Sequence, residues 1–267
     1  MEQSRPARIV LRIFTILTLV FIYFPIAVIV LYAFNGNTSL QWPIGNLTLE
    51  WFGRALRDPG IRSALLLSLE VATLATIVAL FLGSLAAFAV QRFRFFGRET
   101  ISFIVILPLA LPGIVTGIAL NSAFRAVGIP LGTLTIVLGH ATFCVVVIYN
   151  NVIARLRRTA RSTEEASMDL GADTFRTFHA ITLPAIRTAL LAGGILAFAL
   201  SFDEVIVTTF TAGLQQTLPI WILSNYLRPT QAPLVNVVAV FVLLLSIVPV
   251  YVAARMSSGT GGASGTR

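Results

Sequence analysis

The sequence predicts an all-α polytopic membrane protein with six transmembrane helices, and three observations carry that prediction. Hydrophobic residues make up 57% of the 267 and charged residues 11%, against roughly a quarter charged in soluble domains; mean hydropathy is +0.89. Apolar runs recur at the length of about 20 residues that a helix needs to cross a hydrocarbon core of about 30 Å. Arginines gather beside those runs, and all nineteen basic residues are arginine because the chain has no lysine. That clustering fits basic cytoplasmic loops better than a nucleic-acid surface.

Arg5, Arg8 and Arg12 precede the first apolar run, residues 13–34. The run exceeds a signal-peptide core of about 7–15 residues and no A-x-A site follows it. It is expected to be an uncleaved span, kinked at Pro25 as a bundle tolerates. Residues 35–62 are turn-rich, with Gly36, Pro43, Gly45, Pro59 and Gly60. They predict an external loop with one short helix around residues 51–56, Trp42 and Trp51 lying at interface depth. Residues 63–90 form the second expected span, closed by the basic stretch 91–99. The third, about 100–124, holds Pro108, Pro112, Gly113 and Gly117 and should be bent in its middle. Gly128 to Pro130 turns the chain into a fourth span, about 134–153, which delivers Arg155, Arg157, Arg158 and Arg161 to the next loop. The fifth is expected over about 185–210 and the sixth over about 234–254. A Gly/Ser/Thr-rich tail, residues 257–267, should be disordered. In domain terms this gives 1–61 as a stub, first span and external loop, 62–255 as the transmembrane core and 256–267 as a tail.

The arginines test the topology. With both termini cytoplasmic, inside segments hold 14 and outside segments 5, the bias that the positive-inside rule requires. The absence of lysine has a chemical consequence as well. A P-loop needs its lysine to reach the β- and γ-phosphates, so no Walker A site exists here, and ATP-driven work would need another polypeptide. Cys144 stands alone in an apolar run and reads as a packed residue. His140 and His179 have no metal-ligand spacing.

The most polar internal stretch, residues 162–184, reads STEEASMDLGADTFRTFHAITLP. Ser162-x-x-Glu165 has the form of a capping box, which predicts a helix through Ala166, Ser167, Met168 and Leu170. That helix should stop at Gly171, which takes a left-handed conformation without steric cost. Asp173 or Thr174 can cap a second short helix, and Pro184 suits the first turn of a further one. A solvated connection between spans is the plain reading of such composition. The spacing adds more. Glu165-Ala166, Gly171 and Ile181-x-Leu183-Pro184 resemble the EAA loop of ABC importer permeases, whose pattern is E-A-A, three residues, G, nine residues, I-x-L-P. Every interval matches, and Ser167 in place of the second alanine is the one departure.

Three carboxylates fall inside expected spans: Glu70, Asp203 and Glu204. An acid at the bilayer centre costs about 2.5–3.5 kcal/mol on insertion scales, so such groups face a bundle interior or a water path. At a rise of about 1.5 Å per residue, Glu70 lies about 12 Å inward of Arg62, and all three could share the outer half of the membrane. Two readings stand side by side. In one, Glu70 pairs with Arg125 or a partner subunit and Asp203 or Glu204 caps a broken helix. In the other the three line a path for a cationic solute.

Ser201 to Val205, then Leu218-Pro219, then Pro233 to Asn236 resemble the spermidine/putrescine-type branch of ABC importer permeases, over about residues 62–255. The resemblance implies the type I transmembrane fold in a bacterial inner membrane, and a polyamine or related organic cation as the small-molecule solute. It also implies a second permease subunit, two ATPase subunits that hold ATP and Mg, and an external solute-binding protein; no cofactor is expected on this chain. Glu165, Ala166, Ser167, Met168, Leu170, Gly171, Leu183 and Pro184 would then couple to the ATPase, with Glu165 bracing the helix start and Met168 and Leu170 offering apolar surface. Glu70 is not part of the family pattern. Alternatives are a permease for an anionic or neutral solute and a secondary transporter or channel working without ATP, although no inverted repeat is evident. No nucleophile–base or metal constellation points to an enzyme.

Overall fold

A computed structural model describes residues 5–38, 42, 44–226 and 228–258, and among them every regular element is a helix apart from one antiparallel bridge between Asn35 and Leu47. The expected stub before Arg5 and the tail beyond Ser258 lie outside the described residues. By length and apolarity four helical stretches can cross a membrane: Ala7–Ala33, Pro59–Arg92, Thr133–Arg158 and Thr174–Phe202. A bent pair, Arg98–Ala110 with Gly113–Ala126, adds a fifth, and Ala232–Ile247 is a shorter apolar stretch. The chain divides into two compact units, residues 1–62 with 222–248, and residues 63–221 with 249–267.

The first unit holds α1 (Arg5–Ala33), α2 (Glu50–Arg57) and most of α12 (Ala232–Ser258). The apolar window of α1 has no residue buried within the chain. A helix so apolar all round has the build of a membrane span. Between α1 and α2 the chain is pinned by Asn35, 1% exposed, whose Oδ1 accepts from the N–H groups of Asn37 and Gly45. Trp51 donates its Nε1–H to the Asn35 carbonyl at 2.9 Å and is itself buried. Only Trp42 stands open, at 76% exposure, so of the two tryptophans expected at interface depth one is a core anchor. Phe52 continues this core between Phe34 and Phe241.

Asp58 caps the next helix, its carboxylate accepting from the Ile61 N–H at 3.0 Å with Pro59 in the first helical position. Helix α3 (Pro59–Arg92) therefore begins where loop was expected. In the second unit α6 (Thr133–Arg158) is the central post, with 67% of its apolar window buried against 28% for α3. Ala79, Ala87 and Val90 of α3 pack on Cys144, Ile148, Tyr149 and Val152 of α6, and Ile186 and Ala197 of α9 (Leu183–Phe202) complete this core. Small residues at the crossings let backbones approach, as membrane helices require. Tyr149 meets the Ser102 hydroxyl at 2.8 Å, so the one phenol in that core is satisfied.

Helices α4 (Arg98–Ala110) and α5 (Gly113–Ala126) meet at 107°. Leu111 is forced extended by the proline that follows it, and Pro112 is extended too. The bend expected in the third span thus sits at one dipeptide. The fifth expected span stops early: α9 ends at Phe202 and α10 (Ile206–Thr211) is a separate short helix. A further helix, α11 (Leu218–Tyr226), lies where sequence predicted none, its first N–H donating to Ser68 Oγ of α3 at 2.8 Å.

Candidate functional site: a docking loop and a helix break

The polar stretch forms α7 (Arg161–Asp169), α8 (Thr174–Thr177) and a π turn, Phe178–Thr182, leading into α9. The expected capping box is absent. The N-cap is Ala160, with no side-chain cap, and Ser162 already lies inside the helix. Helix formation two residues earlier places Arg161 one turn from Glu165, and the two pair at 3.2 Å with more than half of each side chain exposed. Glu165 therefore does not brace the helix start through backbone bonds.

The far end of α7 follows expectation. Gly171 has φ +88°. Its N–H bonds the Met168 carbonyl at 2.9 Å, and the Ala172 N–H bonds that of Ser167 at 3.1 Å. These crossed bonds are a Schellman ending, which needs the left-handed residue. A Cβ on Gly171 would meet nothing within 4 Å, so Gly171→Ala is expected to cost about 1–2 kcal/mol from backbone conformation alone. Thermal unfolding reads this as a lowered midpoint; an unchanged midpoint would show that the turn relaxes freely. Asp173 then caps α8, its carboxylate accepting from the Arg176 N–H at 2.7 Å.

Pro184 stands in the first turn of α9, as expected, and α9 follows the π turn without a gap. Residues Thr174–Phe202 form one helical rod, and the Leu183 N–H reaches back five residues to the Phe178 carbonyl. That widened turn accommodates a proline with no N–H to give.

The residue that ties the loop to the spans is Glu164, which sequence reasoning passed over for its neighbour. Glu164 Oε1 accepts from Arg92 Nη2 at 2.6 Å and from the Thr182 hydroxyl at 2.9 Å. The Arg92 and Glu164 side chains are only 14% and 13% exposed. One carboxylate thus joins the end of α3, the first turn of α7 and the π turn. Ser167, one turn on, meets the Thr177 hydroxyl at 3.1 Å. The i, i+3 spacing of Glu164 and Ser167 was the signal available: both fall on one helical face. The rest of α7 and its C-terminal turn are open. Glu165, Ala166, Met168, Leu170 and Gly171 are exposed, Leu170 at 90%, with Phe175 at 72% beside them. Glu165 and Met168 also line a cavity of about 350 Å³ together with Phe88 and Phe178. Leu183 is half-buried and Pro184 exposed on the rod.

At the other end of that rod lies the break. Asp203 is the last residue of α9's ladder, donating its N–H to the Ala199 carbonyl; its side chain is exposed and makes no hydrogen bond or ion pair among the described residues. Glu204 has a structural task, since Oε1 accepts from the Val207 N–H at 2.9 Å and so caps α10. Glu70 is exposed on α3, and no hydrogen bond or ion pair among the described residues joins it to Asp203 or Glu204. Arg125, its suggested partner, bonds Asn121 at 2.9 Å instead. Close behind the break, buried His140 stands between Ser201 Oγ and Thr208 Oγ1, each at 2.8 Å. Among the described residues no group of three or more His, Cys, Asp or Glu could hold a metal.

Long apolar helices, a short-helix loop exposing apolar side chains and a carboxylate at a helix break are, among the described residues, the build of a membrane transport subunit. The chain belongs to the family of inner membrane components of binding-protein-dependent transport systems, which its residues 79–259 match. It is 38% identical over 246 residues to the putrescine transport system permease protein PotI of Escherichia coli K12, covering 89% of this chain and 86% of that one. It is 31% identical over 229 residues to the spermidine/putrescine transport system permease protein PotC of Haemophilus influenzae, covering 85% and 88%. Among solved structures, a bacterial ABC transporter that imports alginate superposes with a TM-score of 0.78 at 16% identity, covering 96% of this chain and 99% of that chain. At that identity the likeness is one of fold.

Proposed function

We propose that the chain is one of two permease subunits of an ATP-driven importer and forms part of the path for a polyamine or related organic cation. The observation that carries the cation is Asp203, an exposed carboxylate with no partner among the described residues at a break in an apolar helix. Desolvating such a charge is tolerable where a water path or a cation meets it. The names of the putrescine and spermidine/putrescine relatives point to the same class of solute. The arginine bias supports cytoplasmic termini and a cytoplasmic loop 162–184. ATP and Mg then belong to two ATPase subunits, and an external binding protein delivers the solute.

The exposed face of α7 with Met168 and Leu170 offers the ATPase its docking surface. Because Thr174–Phe202 is one rod, a shift of α7 on that surface is carried to the break at Asp203, giving alternating access between two packings. Glu204 acts as a helix cap, and Glu70 meets the second permease subunit. The test uses the whole transporter in vesicles with its binding protein and ATP. Asp203→Asn is expected to slow import of putrescine or spermidine about tenfold, the worth of one charge-assisted contact, while the subunits still assemble. Undiminished import by the variant would remove the cation-path role.

A further inference from the structure

The break between α9 and α10 contains neither glycine nor proline, so something other than backbone chemistry holds it open. Its exposed amides and carbonyls are met locally in part: Glu204 Oε1 accepts from the Val207 N–H, and the Thr208 hydroxyl donates to the Glu204 carbonyl at 2.7 Å. The remaining link comes from α6. His140 places Nδ1 against Ser201 Oγ in the last turn of α9, and Nε2 against Thr208 Oγ1 in the first turn of α10. His140, Ser201 and Thr208 are 1%, 3% and 0% exposed, so water cannot substitute for any of these bonds. The Thr208 hydroxyl has one hydrogen and it is committed to Glu204. Its oxygen must therefore accept from Nε2–H, which leaves Nδ1 of the neutral ring to accept from the Ser201 hydroxyl. Every polar atom of the bridge is satisfied in that single arrangement. Between the two anchored turns stands Asp203, with no bond among the described residues to fix its carboxylate.

We propose that His140 is a positioning residue for the solute path: bridging Ser201 and Thr208, it pins the two lips of the helix break and so sets where the Asp203 carboxylate stands. The inference rests on the proposed role of Asp203 and extends it to a residue that touches no solute. A histidine serving only as packing would be replaceable by an apolar side chain of similar size. A positioning histidine needs one donor and one acceptor at opposite ends of a flat group, which glutamine can partly reproduce.

The complete transporter in proteoliposomes, supplied with saturating putrescine-loaded binding protein, gives the readout: putrescine imported per ATP hydrolysed. His140→Leu is expected to lower that ratio about fivefold, the scale of one lost hydrogen bond, and His140→Gln to recover most of it. A defect in assembly alone would lower import and hydrolysis together and leave the ratio intact. Combined with Asp203→Asn, His140→Leu should produce little further loss, since both act through one carboxylate. Should His140→Leu fail to assemble, Ser201→Ala and Thr208→Val each remove one arm of the bridge and carry the same expectation. A wild-type ratio in His140→Leu, or losses that multiply in the double variant, would overturn the positioning role while leaving Asp203 in the path. An Asp203→Asn transporter with wild-type import would overturn both.

Discussion

Glu164→Ala is expected to destabilise the chain by about 3 kcal/mol, and Glu165→Ala by no more than about 0.5 kcal/mol, although the two acids are neighbours on one helix. The difference follows from what each carboxylate leaves behind. Glu165 pairs with Arg161 in solvent, both side chains more than half exposed, and water replaces either partner. Glu164 is the sole ion-pair partner of Arg92 among the described residues, in a place where both are mostly buried. Arg92 Nε already lacks a partner. Removing Glu164 would strand the rest of the guanidinium and the Thr182 hydroxyl as well, and breaking one side of a buried pair costs far more than the pair contributes. Thermal unfolding of the two variants in the same detergent decides the matter; equal midpoints would show that the buried bridge carries no weight. Glu164→Gln, which can still accept from Thr182, should fall between them. In the assembled transporter the same replacement should lower solute imported per ATP, because it frees α7 from the rod that it is proposed to move.

Much of this was legible in sequence, and the reason is the bilayer. Its thickness fixes the length of each span, so an apolar run announces itself without any partner. Turns set by one residue's own chemistry were legible too. Pro112 gives the bend in the third span, and Gly171 gives the end of α7, its φ of +88° being one that other residues resist. What escaped were the features decided across the chain. Glu164 shares a helical face with Ser167, but local spacing cannot show that Arg92, 72 residues away, pairs with it rather than with Glu165. A cap by Glu204 on a broken helix was one of the two readings of the run from Ser201 to Ile206, and Glu204 does cap α10; what local sequence could not show is His140, on another helix, bonding both sides of the break. Helix α11 starts beside a proline in a stretch that reads as loop, and its first N–H finds a hydroxyl 150 residues earlier. The capping box failed for a different reason: Ser162 had the right spacing, but the helix began at Arg161, where the i, i+4 pair with Glu165 becomes available.

Gly83→Val should cost about 3 kcal/mol, through the crossing of α3 on α6. Added at Gly83, a Cβ would stand 2.8 Å from the Val145 carbonyl oxygen and 2.8 Å from Ile148 Cβ. The first of these is backbone in the most buried helix of its unit and cannot rotate aside, so α3 would have to lift. Lifting is costly here because lipid offers no hydrophobic drive to press helices together, and close packing of small residues does that work instead. Ala79 and Ala87, four residues to either side of Gly83, are fully buried in the same core and would lose contact with α6 together. Gly53 provides the contrast: it is also helical, yet a Cβ there meets nothing within 4 Å. Gly53→Ala should therefore stabilise α2 by about 0.5–1 kcal/mol through backbone entropy. Opposite signs for two glycine substitutions in one chain, measured as shifts in unfolding midpoint, are the expected result, and a Gly83→Val chain that unfolds like the wild type would mean that α3 does not approach α6 so closely.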